Sequence, residues 1–356
     1  MVGRSMTQAP RPASELRRIG KGGDMIVIAG AGSIGCFVGG LLAAAGQDVG
    51  LLMRARMVAK LSTTGLHLTD FSGLDARVPA SALTMTEDAA LLAQASMVLV
   101  TVKSADTAEI AGLIARHCAR DTPVVSLQNG VGNARLLAQL LPNHRVMAGM
   151  VPFNVVAQGA GRFHRATSGD IQIGHADGRD AEDMAAGLNV AGLAVRATGD
   201  IAAVQWGKLL INLNNAPNAL SGMTLRDQLL DTGWRRLMAD QMAEALGVLR
   251  AAGITTKSTT PVPSGIIPLI LRLPTPMFMR IAARMLTIDP TARSSMQIDL
   301  LRGRITEIDE LQGEILRLGR KHDVATPLCT HIAALIKNAE QAGTGSPGLA
   351  VSALRP

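Results

Sequence analysis

Apolar positions fall along this chain in two regimes. From Met25 to about residue 198, short apolar runs alternate with stretches of helical period. MIVIAG (25–30), DVGLLM (48–53), SMVLVTVKSAD (96–106, its strand ending at Lys103), PVVSLQNGVGN (123–133, strand then turn) and VMAGMVPFNVV (146–156) read as apolar strands. GRFHRATSGDIQIG (161–174) adds strands around a polar turn, and LAVRATGDI (193–201) a last one. FVGGLLAAAG (37–46), Thr107 to Cys118 and DAEDMAAGLNVAG (180–192) read as helices, and residues 60–92 as weak strands and connections. Strands alternating with helices predict an α/β fold with a largely parallel, Rossmann-type sheet.

Past residue 198 the alternation stops and the period is helical almost throughout. WGKLLINLNNAPNAL (206–220) reads as one helix, 231–253 as a second, PTPMFMRIAARML (274–286) as a third, and Ser294 to His322 as a long pattern. The expected division is a disordered leader (1–24), a dinucleotide-binding domain (25–198), an all-helical C-terminal domain (199–340) and a loose Gly-, Ser- and Pro-rich tail (341–356).

Composition narrows the classes. Tyr is absent, Phe numbers five and Met 17, so the core is aliphatic with Met filling gaps. The net charge is +7, of which the leader carries +3 through Arg4, Arg11, Arg17, Arg18 and Lys21 against Glu15 and Asp24. A mildly basic body almost without aromatics suits an anionic small ligand and argues against nucleic acid. Cys36, Cys118 and Cys329 are too scattered for a disulfide framework or a metal site, which favours a reducing, cytoplasmic setting. The uncharged run from Met25 to Gln47 imitates a membrane helix, but glycines at 30, 32, 35, 39, 40 and 46 interrupt it, and no membrane association is expected.

Those glycines have a chemical use. Gly30-Ala31-Gly32-Ser33-Ile34-Gly35 follows a strand and opens a helix, the setting in which such a turn holds a dinucleotide diphosphate. A plain glycine packing turn is the alternative. At the end of the second strand, where an NAD site places an acid, stand Arg54, then Arg56 and Lys60. These cations favour a 2′-phosphate, hence NADP, over a merely solvated loop. Lys103, Gln128 and Asn129 end later strands, on the side where ligands of open α/β sheets lie. In the helical half, Lys208, Asn212 and Asn215 are spaced four and three apart, which puts them on one face of a continuous helix. A lysine there can donate a proton once burial tunes it, or can be an ordinary surface lysine. His164 has no partner at metal-ligand spacing and reads as structural.

GAGSIG, VKS at a strand end, QNGVG, WGKLLIN and SSMQIDLLRGRITEIDELQG together resemble the ketopantoate reductase (2-dehydropantoate 2-reductase) family, from about Met25 to Pro327. The resemblance implies NADPH-dependent reduction of ketopantoate to pantoate, in pantothenate and coenzyme A synthesis. It casts Lys208 as general acid, Glu307 as the active-site glutamate, and Ser295 as the group holding the substrate carboxylate. Asn212 would bind the substrate hydroxyl, Asn129 and Lys103 would lie where nicotinamide meets substrate, and Arg54 would contact the 2′-phosphate. One departure stands out: Ala216 occupies a position where the best-known members carry a second Asn. Asn215 is the expected substitute for that amide. The alternatives are a reductase of another 2-keto acid and a non-catalytic NADP sensor. Helices such as 231–253 offer surface for a homodimer.

Overall fold

A computed structural model describes residues 25–174, 179–281 and 291–356. The expected leader and the second half of the 274–286 helix lie outside the described residues. In chain order the first half runs β1 (Met25–Ala29), α1 (Ser33–Ala44), β2 (Val49–Leu52), α2 (Ala55–Thr64), β3 (Leu66–Asp70), β4 (Asp75–Val78) and β5 (Thr84–Thr86). It continues with β6 (Ala95–Val100), α3 (Thr107–His117), β7 (Val124–Ser126), α4 (Asn133–Leu140), β8 (Val146–Met150), β9 (Val155–Gly159), β10 (Arg162–Arg165), β11 (Ile171–Gly174), α5 (Arg179–Leu188) and β12 (Val195–Ala197). Eight strands pair in the order β12-β11-β8-β7-β6-β1-β2-β5, and β4-β3-β10-β9 form a separate small sheet. Every neighbouring pair of the large sheet is parallel except β8 with β11.

Alternation along the strands feeds two cores. Ile26 and Ile28 point to one face, with Phe37 and Leu41 of α1. Val27 and Ala29 point to the other, with Ile110 and Ile114 of α3 and Leu137 of α4. The helix α1 explains the uncharged run. It is pressed between the two sheets, so it is apolar all round. Its glycines set the approach. A Cβ at Gly39 would lie 2.8 Å from side chains of Ile28 and Leu51, and one at Gly40 would lie 2.8 Å from Leu68 of the small sheet. Among the described residues no helix is long and apolar enough to cross a membrane.

The second half holds α6 (Ile201–Asn212), α7 (Asn215–Ser221), α8 (Leu225–Leu230), α9 (Thr232–Ala251), α10 (Ile267–Leu271), α11 (Thr275–Ile281), α12 (Ser295–Leu301), α13 (Gln312–Lys321) and α14 (Pro327–Ala342) around one core, mostly aliphatic but with Trp206, Trp234 and Phe278 in it. Three expectations are corrected here. The 206–220 stretch is two helices, α6 and α7, because Pro217 has no N–H to give the Leu213 carbonyl. The buried Gln312 supplies that donor instead, Nε2 to Leu213 O at 2.8 Å. The 294–322 pattern is likewise broken: Gly303, with φ +59°, ends α12, and residues 302–311 form a connection before α13. The tail is docked rather than loose. Leu349 N donates to Leu220 O at 2.9 Å, Ser346 Oγ donates to Ala219 O, and Leu354 is fully buried.

The segment before α10 lies directly on α6. Lys257 N donates to Ala203 O at 2.8 Å, and a Cβ at Gly207 would sit 1.9 Å from the Lys257 carbonyl oxygen. Glycine to alanine inside a helix ordinarily stabilises by up to about 1 kcal/mol. Gly207→Ala is expected to do the reverse, lowering the thermal midpoint with a loss of roughly 1–3 kcal/mol. Calorimetry on the two chains checks the sign; a raised midpoint would contradict the close approach.

Candidate active site

The chain enters the large sheet at β1, builds outward through β2 on one side, and returns to build through β6, β7 and β8 on the other. In an open α/β sheet the ligand crevice lies where that direction reverses, here the carboxyl ends of β1 and β6. Gly30 turns the chain out of β1 at φ +84°, where a Cβ would meet Val102 Cγ1 at 2.2 Å. The Leu52 carbonyl accepts from both Gly30 N (3.0 Å) and Ala31 N (2.9 Å), which seats the turn against the end of β2. Gly35 lets α1 press onto the strands, since a Cβ would lie 2.5 Å from Thr101 Oγ1. Gly32 caps α1 without a side chain, and a Cβ there would meet nothing nearer than 3.9 Å. The space before the first-turn amides of Ser33, Ile34 and Gly35 is therefore open. Unspent amide donors at a positive helix end fit a diphosphate. Arg54 caps α2 just past β2; its side chain is 73% exposed, with Nη2 3.6 Å from Asp106 Oδ2.

Across the crevice stands α6. Asp200 caps it through Oδ1, which accepts from Ala203 N at 3.0 Å, and Gln205 Nε2 donates to Gly149 O of β8 at 3.0 Å. Lys208 is thereby aimed at the strand ends. Its Nζ donates to Asn129 Oδ1 at 2.7 Å, and Asn129 Nδ2 donates to Glu307 Oε2 at 3.1 Å. One amide thus joins an ammonium and a carboxylate from the helical domain to a loop of the sheet domain. The amide is fixed from behind. Asn133 Nδ2 donates to Asn129 O (2.6 Å) and Ser104 Oγ (2.8 Å), Thr107 Oγ1 donates to Asn133 Oδ1 (3.0 Å), and Ser104 Oγ reaches Glu307 Oε1 at 3.4 Å. Lys103 also crosses the crevice, with Nζ 2.9 Å from Asp299 Oδ1 and 3.1 Å from Ile305 O.

Burial drives the Lys208 ammonium down to about 8, with the charge of Glu307 pulling the other way. Burial also raises the Asp299 carboxyl; Lys103 opposes this and Glu307 adds to it. A lysine poised near neutrality can release its proton readily, which an exposed one does not.

The remaining residues sort clearly. Asn212, one turn beyond Lys208 on α6, is half-buried, and its side chain has no hydrogen-bond partner among the described residues. Ser295 opens α12, half-buried. Its neighbour Ser294 caps that helix, accepting from Gln297 N (3.1 Å) and donating to Asn215 O (3.0 Å), while Ser294 N donates to Asn218 Oδ1 (2.9 Å). The shared helical face expected for Lys208 and Asn215 does not exist, because the break at Leu213 re-aims α7; Asn215 starts the second helix. Ala216 is fully buried, and Asn214 turns inward to Gln228 at 3.0 Å. Gln128, expected on the ligand side, is buried between Ser126 (3.0 Å) and Thr107 (2.7 Å). His164 pairs with Thr69 Oγ1 at 2.9 Å. Glu307 rides on the connection after α12, whose neighbour Thr306 is held by Glu340 Oε1 through both N (2.8 Å) and Oγ1 (2.6 Å). Reading the sequence missed Gly207, Ser104, Asn133 and Glu340. Pro217 and Gly303 were the available signals for the two helix breaks.

A glycine turn at the reversal point of a parallel sheet, faced by a lysine from a helical domain, defines a two-domain oxidoreductase built for a nicotinamide nucleotide. Comparison with known families makes the class specific. The model described as ketopantoate reductase PanE/ApbA matches residues 26–178, and that for its C-terminal part matches 200–340. The chain belongs to the ketopantoate reductase family. It is 28% identical to a 2-dehydropantoate 2-reductase of Halobacterium salinarum, over 89% of this chain and 99% of the relative. Among solved structures, a PanE/ApbA family ketopantoate reductase from Ralstonia eutropha JMP134 superposes with TM-score 0.76 at 31% identity, covering 90% of this chain and 99% of that one. A D-mandelate dehydrogenase solved with NADH and anilino(oxo)acetate shares the fold, with TM-score 0.73 at 22% identity, covering 90% and 99%.

Because the Glu307 charge holds the Lys208 ammonium up, Glu307→Gln is expected to move that lysine further down, below about 8. An NMR titration of the lysine side chains reads this directly. A midpoint unchanged or raised in the variant would break the link between the two groups.

Proposed function

We propose that the protein reduces the 2-keto group of ketopantoate to the hydroxyl of pantoate with NADPH, a step of pantothenate biosynthesis. The observation that carries this reading is the Lys208–Asn129–Glu307 chain at the mouth of the glycine crevice. A reduced nicotinamide held here would supply the hydride that the keto carbon takes up. First-turn amides of Ser33, Ile34 and Gly35 hold the diphosphate, the turn Gly30-Ala31-Gly32 admits it, and Arg54 meets the 2′-phosphate. As the keto oxygen gains charge, Lys208 stabilises it and gives up the Nζ proton. Asn129 orients that ammonium, and Glu307 balances it and keeps it protonated near neutrality. Ser295 holds the substrate carboxylate and Asn212 its hydroxyl. Lys103 stands where nicotinamide and substrate meet, tied to Asp299. A cytoplasmic site of action suits the free thiols of Cys36, Cys118 and Cys329.

A second reading keeps the chemistry and changes the 2-keto acid. The buried Ala216 favours it, because no amide stands at that position, and so does a shared fold with a dehydrogenase of a different hydroxy acid. Family membership sets aside the non-catalytic sensor.

Lys208→Ala is expected to lower kcat by on the order of 10²–10⁴-fold with NADPH affinity retained. Steady-state NADPH oxidation with ketopantoate and related keto acids measures it and also ranks the substrates; no turnover of ketopantoate would remove the first reading. The acid must be protonated to act, so keto-acid reduction should hold below pH about 8 and decline as pH rises through that value. A rate that climbs with pH across the same range would exclude Lys208 as the acid. Arg54→Ala should raise KM for NADPH roughly tenfold and leave KM for NADH unchanged, the loss of one charge-assisted hydrogen bond.

A further inference from the structure

A cavity of about 290 Å³ opens between the small sheet and α12, and neither Lys208, Asn129 nor Glu307 lines it. Gln158 of β9 and His164 of β10 form one wall; Arg293, Ile298, Leu301 and Arg302 form the other. Its size falls at the lower end of small-ligand sites, near 300 Å³. Among the described residues that line it, the charge is one-sided. Among the described residues no carboxylate lines it, and none pairs with Arg293 or Arg302. Two of the side chains lining it are already anchored. Arg293 Nη1 donates to Gly222 O at 2.8 Å, and His164 Nδ1 is 2.9 Å from Thr69 Oγ1. Both side chains are held in place before anything binds, which reduces the ordering cost of binding. Two arginines line the cavity, and a guanidinium matches a carboxylate or phosphate through paired hydrogen bonds. Beside them Leu301 is 56% exposed, an apolar surface that a ligand body would cover.

The cavity also adjoins the keto-acid side. At about 100° per residue, the positions met in turning around α12 from Asp299 are Ser295, then Ile298, then Leu301. Asp299 holds Lys103, and Ile298 and Leu301 line the cavity, so Ser295 lies between the two.

We propose that this cavity binds a small organic anion, a carboxylate or phosphate monoester on a short apolar body, at a site distinct from the catalytic lysine, and that its occupancy is felt at Ser295 through α12. The kinetic half of this statement rests on the keto-acid reading above; the binding half does not. Isothermal titration of the full chain with phenyl phosphate and with benzoate tests it. One saturable site is expected. Arg302→Ala should weaken binding by about tenfold or more, the scale of one charge-assisted hydrogen bond. Leu301→Asp, which sets a carboxylate in the exposed wall, should weaken it likewise, and Lys208→Ala should leave it intact. The tighter of the two probes identifies the head group. Saturating phenyl phosphate should then shift KM for the keto acid with kcat little changed, and Arg302→Ala should abolish that shift without altering turnover in its absence. Absent binding, binding indifferent to both wall variants, or binding lost with Lys208→Ala would each overturn the site, and an unmoved KM would overturn the coupling. A chain inactive on every keto acid would defeat the proposed reaction yet leave the calorimetry standing.

Discussion

The side-chain amide of Asn129 is satisfied at both ends by charges that the sheet domain does not own. Its oxygen takes the Lys208 ammonium and its nitrogen serves the Glu307 carboxylate. An amide can accept at one end and donate at the other, so it joins opposite charges without adding to either. The lysine is thereby kept off direct contact with the glutamate while still feeling its field, which is how its proton is held at an intermediate strength. The rest of the architecture keeps this contact in register. α6 is pinned to β8 by Gln205, the loop after β7 is pinned by Asn133 and Thr107, and the Glu307 connection is pinned by Glu340.

The geometry of the sheet decides where such a contact can form. Chain reversal between β1 and β6 leaves their carboxyl ends uncovered, and helices pack the faces on either side. A second domain that begins immediately after the last strand meets the sheet at that open end. The small sheet, stacked on the other side of α1, thickens the wall of the crevice and carries β9 and β10 toward the helical domain.

The first half was legible because its signals are local. A fully apolar run before GAGSIG favours a strand feeding a nucleotide-binding turn, and Gly30 at φ +84° is what that turn demands. Lys103 and Asn129 were legible by rule, being strand ends. The small sheet was not, because β3 and β10 pair across more than ninety residues and their side chains alternate only weakly. In the second half, period alone overran two breaks. Leu209, Leu210 and Leu213 keep the helical stripe up to the point where Pro217 withholds a donor, and Ser295 to Glu310 keep it across Gly303. The network behind Asn129 was invisible for another reason: Ser104, Thr107 and Asn133 are ordinary polar residues whose meaning comes only from being brought together. Lys208 stood out by its place on the helix, but Ser295 and Glu307 were named through family likeness, since spacing alone does not bring α6, α12 and the connection after it to one place.

The glutamine that serves the Leu213 carbonyl ties together two positions far apart in the chain. Gln312 is fully buried and its Oε1 has no partner, so only its Nε2 bond compensates the burial of the amide. If residue 217 had an N–H, the helix could close over Leu213 by itself, and the glutamine would be left with both ends of its amide unmet. If position 312 lost its amide while the proline stayed, the carbonyl would be stranded instead. A change at either position alone therefore leaves a buried polar group unmet.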